Sequence, residues 1–163
     1  VASQSVDQTD PLDQIENLKK ENPHMLLLII IASLALAFGA TVFTHAGKAI
    51  TTNLVTAIGG TAPKYVGWGT GAGTAAVGDT TLFTESADET RATGTITRVT
   101  TSQTNDTVQV VGTMTCATSG KTITNVGLFD AVSSGNLYMK SDFTGLALLV
   151  GDSIQFTLKV QYT

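Results

Sequence analysis

Apolar positions are spread very unevenly along this chain. From Met25 to Phe43 it reads MLLLIIIASLALAFGATVF, with no formal charge between Glu21 and Lys48. A run of about 18 or more apolar residues is long enough to cross a bilayer as a helix. The pattern predicts a hydrophobic α-helix over 25–43, with Leu26, Leu27, Leu28, Ile29, Ile30, Ile31, Leu34, Leu36, Phe38 and Phe43 as its assembly or membrane residues. Three roles compete. Apolar residues all round a helix suit lipid and a packed protein bundle equally. A secretory signal is the third role, with Lys19-Lys20 as its basic start and Ala35-Leu36-Ala37 as a small-x-small cleavage site. The polar leader ahead of the run is long for a signal, so a helix buried in an assembly is preferred, followed by a membrane span. Lys19-Lys20 against Lys48 gives only a feeble topological bias.

The leader, residues 1–24, carries a short amphipathic helical signal. Asp10 suits a cap and Pro11 a first helical position, with Leu12, Ile15 and Leu18 following at three-residue spacing until Pro23 ends or kinks the segment. Beyond the run, residues 44–163 read as one domain. Ile50, Leu54 and Ile58 at four-residue spacing, then Gly59-Gly60, predict a short helix over 48–58. The period then changes to two. Strands are predicted at Tyr65–Trp68, Thr93–Thr101, Thr107–Cys116, Lys121–Phe129, Asn136–Lys140 and Leu146–Val150, with Val111-Gly112 a candidate bulge. The last strand is the cleanest: Ile154, Phe156, Leu158, Val160 and Tyr162 alternate with Gln155, Thr157, Lys159 and Gln161. Strict alternation means one buried and one polar face. Short strands between Gly, Ser and Asp turns imply a mainly β fold, an antiparallel β-sandwich behind the N-terminal hydrophobic helix.

Composition supports that division. The chain has 163 residues, room for one ordinary domain. Only 13% are charged, about half the usual share. Threonine is abundant after Thr41, and it favours strands. The net charge of −4 gathers in the leader, at Asp7, Asp10, Asp13, Glu16 and Glu21, and charges nearly balance from Lys48 onward. Without a basic patch there is no source of phosphate-backbone attraction, so nucleic acid is not an expected partner. The single cysteine, Cys116, sits in a predicted strand as a small buried apolar residue.

The search for chemistry finds little. Gly71-x-Gly73-x-x-Ala76 follows a strand and loosely fits a dinucleotide fingerprint. That fingerprint needs a helix opening at the glycines to face the pyrophosphate, and Gly78 and Thr80-Thr81 stand where it should begin. A close-packed or flexible loop is the preferred reading, and no cofactor is expected. His24 and His45 bracket the apolar run and lie too far apart along one helix to share a site. Asp79, Glu85, Asp88, Glu89, Asp106, Asp130, Asp142 and Asp152 mostly adjoin Gly, Ser or Thr, as turn and cap residues do, and no metal spacing appears. Asn105-Asp106-Thr107 matches a glycosylation acceptor, a triplet common by chance. Tyr65, Trp68 and Phe83 flank the glycine stretch as a candidate contact loop, with core packing the favoured alternative. No catalytic residue is expected.

Several segments carry a resemblance: HAGKAITTNL, PKYVGWGTGAGTAAVGDTTLFTE, TNDTVQVVGT, KTITNVGLFDA, GNLYMKSDFTG and LLVGDSIQFTLKVQYT. In composition and order, the region from about 42 to 163 resembles small virion structural proteins of tailed bacteriophages, head- or tail-associated or decorating. The first 40 residues do not belong to that pattern. The resemblance implies a β-sandwich unit that self-associates or decorates a larger shell or tube, with no catalytic residues to carry over. Taken with the apolar helix, the expected function is a non-enzymatic virion structural protein that contacts itself and other virion proteins and is fixed in place by that helix in protein or in membrane lipid. The expected location is the virion, with a cell-surface or membrane-anchored location as the alternative. Two other roles stay open: a pilin-like filament subunit with a hydrophobic helical core, and a membrane-anchored binding module.

Overall fold

β-branched side chains fit a pleated, half-buried surface, and the Thr- and Val-rich body of this chain is built on strands. The computed structural model describes residues 38–162. Among them the order is β1 (Phe38–Phe43), α1 (His45–Thr56), β2 (Tyr65–Gly69), β3 (Ala92–Thr93), β4 (Thr95–Val99), β5 (Thr107–Thr115), β6 (Lys121–Phe129), β7 (Leu137–Leu148) and β8 (Ser153–Gln161). The fold is mainly β, with two antiparallel sheets. One has the order β1-β7-β6-β2-β3, the other β4-β5-β8.

The two sheets share one apolar core. Val66, Trp68, Ile123, Val126 and Leu128 enter it from the larger sheet, and Val110, Met114, Ile154 and Leu158 from the smaller. The predicted alternation of β8 holds within the strand: Ile154 and Leu158 are buried, Phe156 and Val160 half-buried, and Gln155, Thr157, Lys159 and Gln161 exposed, but Tyr162, past the strand's end, is 44% exposed rather than buried. Cys116 is fully buried, as expected. Among the described residues no buried side-chain nitrogen or oxygen lacks a partner.

Helix α1 begins at Thr44, whose hydroxyl accepts from Gly47 N at 2.9 Å and donates to the carbonyl of Leu137. One side-chain oxygen thus caps the helix and ties it to β7. Ala57 ends it in the left-handed conformation, with φ of 56°. The helix starts three residues and ends two residues earlier than the 48–58 that the spacing predicts.

Several other expectations are corrected. Phe38 and Phe43 are not helical; they open and close β1, which pairs antiparallel with β7. Gly39, Thr41 and Val42 are poor helix residues, and the β7 edge offers the segment backbone partners. The predicted helix residues Leu26, Leu27, Leu28, Ile29, Ile30, Ile31, Leu34 and Leu36 lie outside the described residues, as does the leader. Among the described residues no helix is long and apolar enough to cross a membrane. The predicted strand 93–101 is two strands: the chain leaves the larger sheet at Gly94 and enters the smaller one. β7 runs unbroken to Leu148, so 136–140 and 146–150 are not separate strands. No bulge interrupts β5 at Val111-Gly112; it pairs with β8 residue for residue from Thr107↔Gln161 to Thr115↔Ser153.

Candidate functional site

The long connection between β2 and β3, residues 70–91, holds most of the polar chemistry. It lies on the larger sheet, and four buried or half-buried groups hold it there. Asn125, fully buried on β6, accepts from Phe83 N at 3.1 Å and donates to Phe83 O at 3.1 Å and Gly71 O at 3.2 Å. Lys140, 1% exposed, reaches Asp79 at 2.9 Å and the Thr81 carbonyl at 3.0 Å, with its ammonium 3.0 Å from the centre of the Phe83 ring. Arg91, at the end of the connection, pairs in two prongs with Glu85 within it, 2.6 and 2.8 Å, and fastens it to the sheet by stacking over Phe129 and donating to Ala131 O at 3.0 Å. Lys121 reaches Glu89 at 2.6 and 2.8 Å and Asp88 at 3.0 Å. A planar guanidinium on a carboxylate and ammoniums in low-dielectric pockets are strong, directional fastenings.

The glycine stretch fits this clamp rather than a nucleotide. A Cβ on Gly69 would stand 2.4 Å from Phe83 O and 2.8 Å from Asn125, where the loop backbone lies flat on β2. No helix opens there. Instead the chain turns at Ala76–Asp79 and crosses back over the strand.

This covering explains the fate of the candidate contact loop. Trp68 is fully buried, with Nε1 donating to Glu89 at 3.1 Å and its ring edge-on to Phe156 of the other sheet. Tyr65 is half-buried against Leu82, Phe129 and Leu137. Phe83 is half-buried under Lys140. The three aromatics are therefore distributed between core and clamp and do not form one exposed contact surface.

Ser86 Oγ lies 3.1 Å from Lys121 Nζ, a spacing that invites a serine–lysine dyad. The electrostatics oppose it. Burial would lower the Lys121 pKa, but the hydrogen bonds and charges of Glu89 and Asp88 outweigh burial and raise it. Burial would likewise raise Glu89, yet Lys121, Ser86, Trp68 and the Ala117 amide bring it down to about 2. The ammonium is held charged, so it cannot take the serine proton near neutral pH, as a general base must. Cys116 is no better placed: burial pushes its thiol up, and Sγ donates to Ser119 O at 3.0 Å. Among the described residues no group of three or more His, Cys, Asp or Glu is set to hold a metal ion.

Of the remaining acids, Asp142 is not the turn residue expected: it lies within β7 and accepts from Ala75 N of the 70–91 connection at 2.7 Å, while the other three serve turns. Asp106 accepts from the amides of Thr101, Ser102 and Gln103 at 2.8–2.9 Å, and these bonds, Gln103 foremost, hold its carboxyl well below the usual range. Asp130 accepts from Asn136, and Asp152 from Leu149. His45 opens α1, exposed, with its amide on Val77 O.

The feature that sequence periodicity missed is an apolar groove of about 750 Å³ between α1 and the smaller sheet. Leu54, Val55, Pro63, Ile96, Val108 and Tyr162 line it, and Arg98 stands on its wall. Its shape is fixed by Tyr138 and Tyr162, whose hydroxyls are 2.8 Å apart, with Thr51 3.3 Å from Tyr138. Leu54 faces outward at 42% exposure and Val55 at 81%, although both sit on the helix the spacing had found. The available signal was the second apolar stripe of α1, with Val55 beside Leu54.

No family model, no curated protein and no solved structure matches the chain.

Proposed function

We propose that this chain is a non-enzymatic structural protein of a bacteriophage virion, a β-sandwich unit displayed on a capsid or tail and fixed through its N-terminal apolar segment. The observation that carries the reading is how the body distributes polarity. Its ion pairs at Lys121, Lys140 and Arg91 are turned inward to hold the 70–91 loop. The outer face of the smaller sheet offers Thr95, Thr97, Thr113, Thr115, Gln155 and Thr157, all exposed, with Lys159 among them. Hydroxyls and amides can exchange water for protein partners without the desolvation cost of burying charge. Such a face suits a unit that is repeated and contacted, and the groups closest to catalytic arrangement are locked in fixed charge states.

β1 also bears on the alternatives. With Phe38–Phe43 in a strand, the apolar stretch still available to a helix is Met25 to Ala37, about 13 residues. That falls short of the roughly 20 residues a membrane span needs and suits a helix buried in protein. It is also short for the long helical core of a pilin-like filament. A binding module built on Trp68 loses its ligand-facing aromatic, since that ring is in the core.

Mass spectrometry of gradient-purified particles tests the proposal: the chain should be present at a fixed copy ratio to the major capsid or tube protein. Its absence from particles that assemble normally would end the virion reading.

A further inference from the structure

Strand β8 connects two unlike ends of the body. At its start, the β7–β8 turn presents Leu149 and Val150 to solvent, 74% and 58% exposed. The turn is rigid. Leu149 N donates to Asp152 Oδ2 at 2.8 Å, Asp152 N to Leu149 O at 3.1 Å, Gly151 N to Cys116 O at 2.8 Å, and Cys116 N to Asp152 O at 2.8 Å. Gly151, at φ +95°, takes a conformation side chains rarely adopt. Two aliphatic side chains are thus held outward on a fixed turn, where burial would ordinarily be favoured.

At the far end of β8 lies the groove, with Tyr162 on its wall. β8 spans nine residues, so knob and groove are separated by about 30 Å along the strand. The groove is apolar and preformed, with room for two aliphatic side chains. Charge is complementary as well. Arg98 lines the groove, and Lys48 lies one helical turn before Thr51. Asp106, which neighbours Tyr162, is the one acid at this end among the described residues. The knob carries Asp152 in the turn itself, and Asp88 and Glu89 at the same end of the sheets face one cation, Lys121, so this end is net negative while the groove end, with Asp106 counted, stays net positive.

We infer that the occupant of the groove is the Leu149–Val150 turn of a second copy of this chain, giving a head-to-tail contact. A contact between unlike surfaces leaves a free knob and a free groove at every step, so copies add along the β8 direction or close into a ring. This rests on the structural reading above and supplies the contact through which its copies associate.

The test uses the full chain with a photo-crosslinking amino acid at position 149. Intermolecular adducts should map to Val55, Ile96 or Arg98. Adducts to residues 25–37, or no intermolecular adduct, would overturn the contact. A complementation experiment checks it independently. Leu149→Asp removes the knob and Val55→Asp the groove, both at exposed positions, so folding should survive and is verified by circular dichroism. Each variant alone should weaken self-association by tenfold or more in sedimentation. A 1:1 mixture should recover a species capped at two chains, because one intact knob–groove pair remains. Undiminished self-association of either variant, or no recovery on mixing, would overturn the proposal. The contact and the virion reading fail separately. Adducts at the groove from a protein absent from particles would sink only the virion reading. A protein present in particles without those adducts would sink only the contact.

Discussion

Glu89 and Lys121 form the most consequential pair of side chains in the body. Their side chains are 5% and 8% exposed, and Glu89 also receives Trp68 Nε1, Ser86 Oγ and the Ala117 amide. Its carboxyl is depressed from the ordinary 4.5 to about 2. A folded-state pKa below the unfolded one contributes stability that is complete above the unfolded value and is lost as pH falls through the folded one. Stability should therefore decline as pH drops from about 5 toward 2, and Glu89→Gln should flatten that decline while lowering stability at pH 7. Breaking a buried pair from one side typically costs about 3–5 kcal/mol. Urea titrations of both proteins at pH 7 and pH 3 check this; a parallel loss in both would show that Glu89 does not set the acid limit. The turn roles of Asp106, Asp130 and Asp152 were legible from their Gly, Ser and Thr neighbours, whereas Glu85, Asp88 and Glu89 are ion-pair partners and Asp142 lies within β7. The pairing of Glu89 with Lys121, 32 positions apart, was not, because sequence spacing carries no record of which loop folds onto which strand.

Among the elements, α1 is held by how closely it approaches β7. A Cβ on Gly47 would stand 2.1 Å from Tyr138 O and 2.6 Å from the Phe43 ring. Gly47→Ala should destabilise the body by about 1–3 kcal/mol, the usual range for overpacking, despite alanine's better helix propensity. An unchanged melting temperature would show that helix and strand are not in contact there. The same region shows why β1 was misread. FGATVF continues an apolar run, so hydropathy extends the helix through it. What decides its conformation is the open edge of β7, a tertiary partner invisible to a local window. β8 was legible because its period is two and one face meets a core; β7 was split because Ser141, Asp142, Thr144 and Gly145 resemble a turn, whereas pairing with β1 and β6 carries the strand through them. Removing residues 1–37 should leave a body that unfolds cooperatively. Removing 1–43 also strips β1 and the edge-on Phe43–Tyr138 contact, so it should lower the melting temperature relative to the shorter deletion. Equal melting temperatures would show that β1 contributes nothing to the body.

For the whole molecule, two antiparallel sheets with a shared core and a chain with little charge were readable from composition and period, because both follow from which side chains can be buried. The groove was not readable, since it depends on α1 leaving Leu54 and Val55 uncovered beside Ile96 and Val108, residues brought together only by the fold. The boundary at Phe38 then changes what the apolar run can do. About 13 residues in helical form extend roughly 20 Å, against a hydrocarbon core of about 30 Å. The reading proposed above places that segment among protein side chains. If the chain is fixed in an assembly in this way, mild nonionic detergent should strip membrane from a preparation and leave the chain sedimenting with its particles. A lipid-anchored chain should instead appear in the soluble detergent fraction. Replacing Leu28 and Ile31 with aspartate should release the chain from particles while the isolated protein keeps its β-type circular dichroism, because the strands lie within residues 38–162. Retention of that variant at the native copy number would show that attachment runs through the β body and not through the apolar segment.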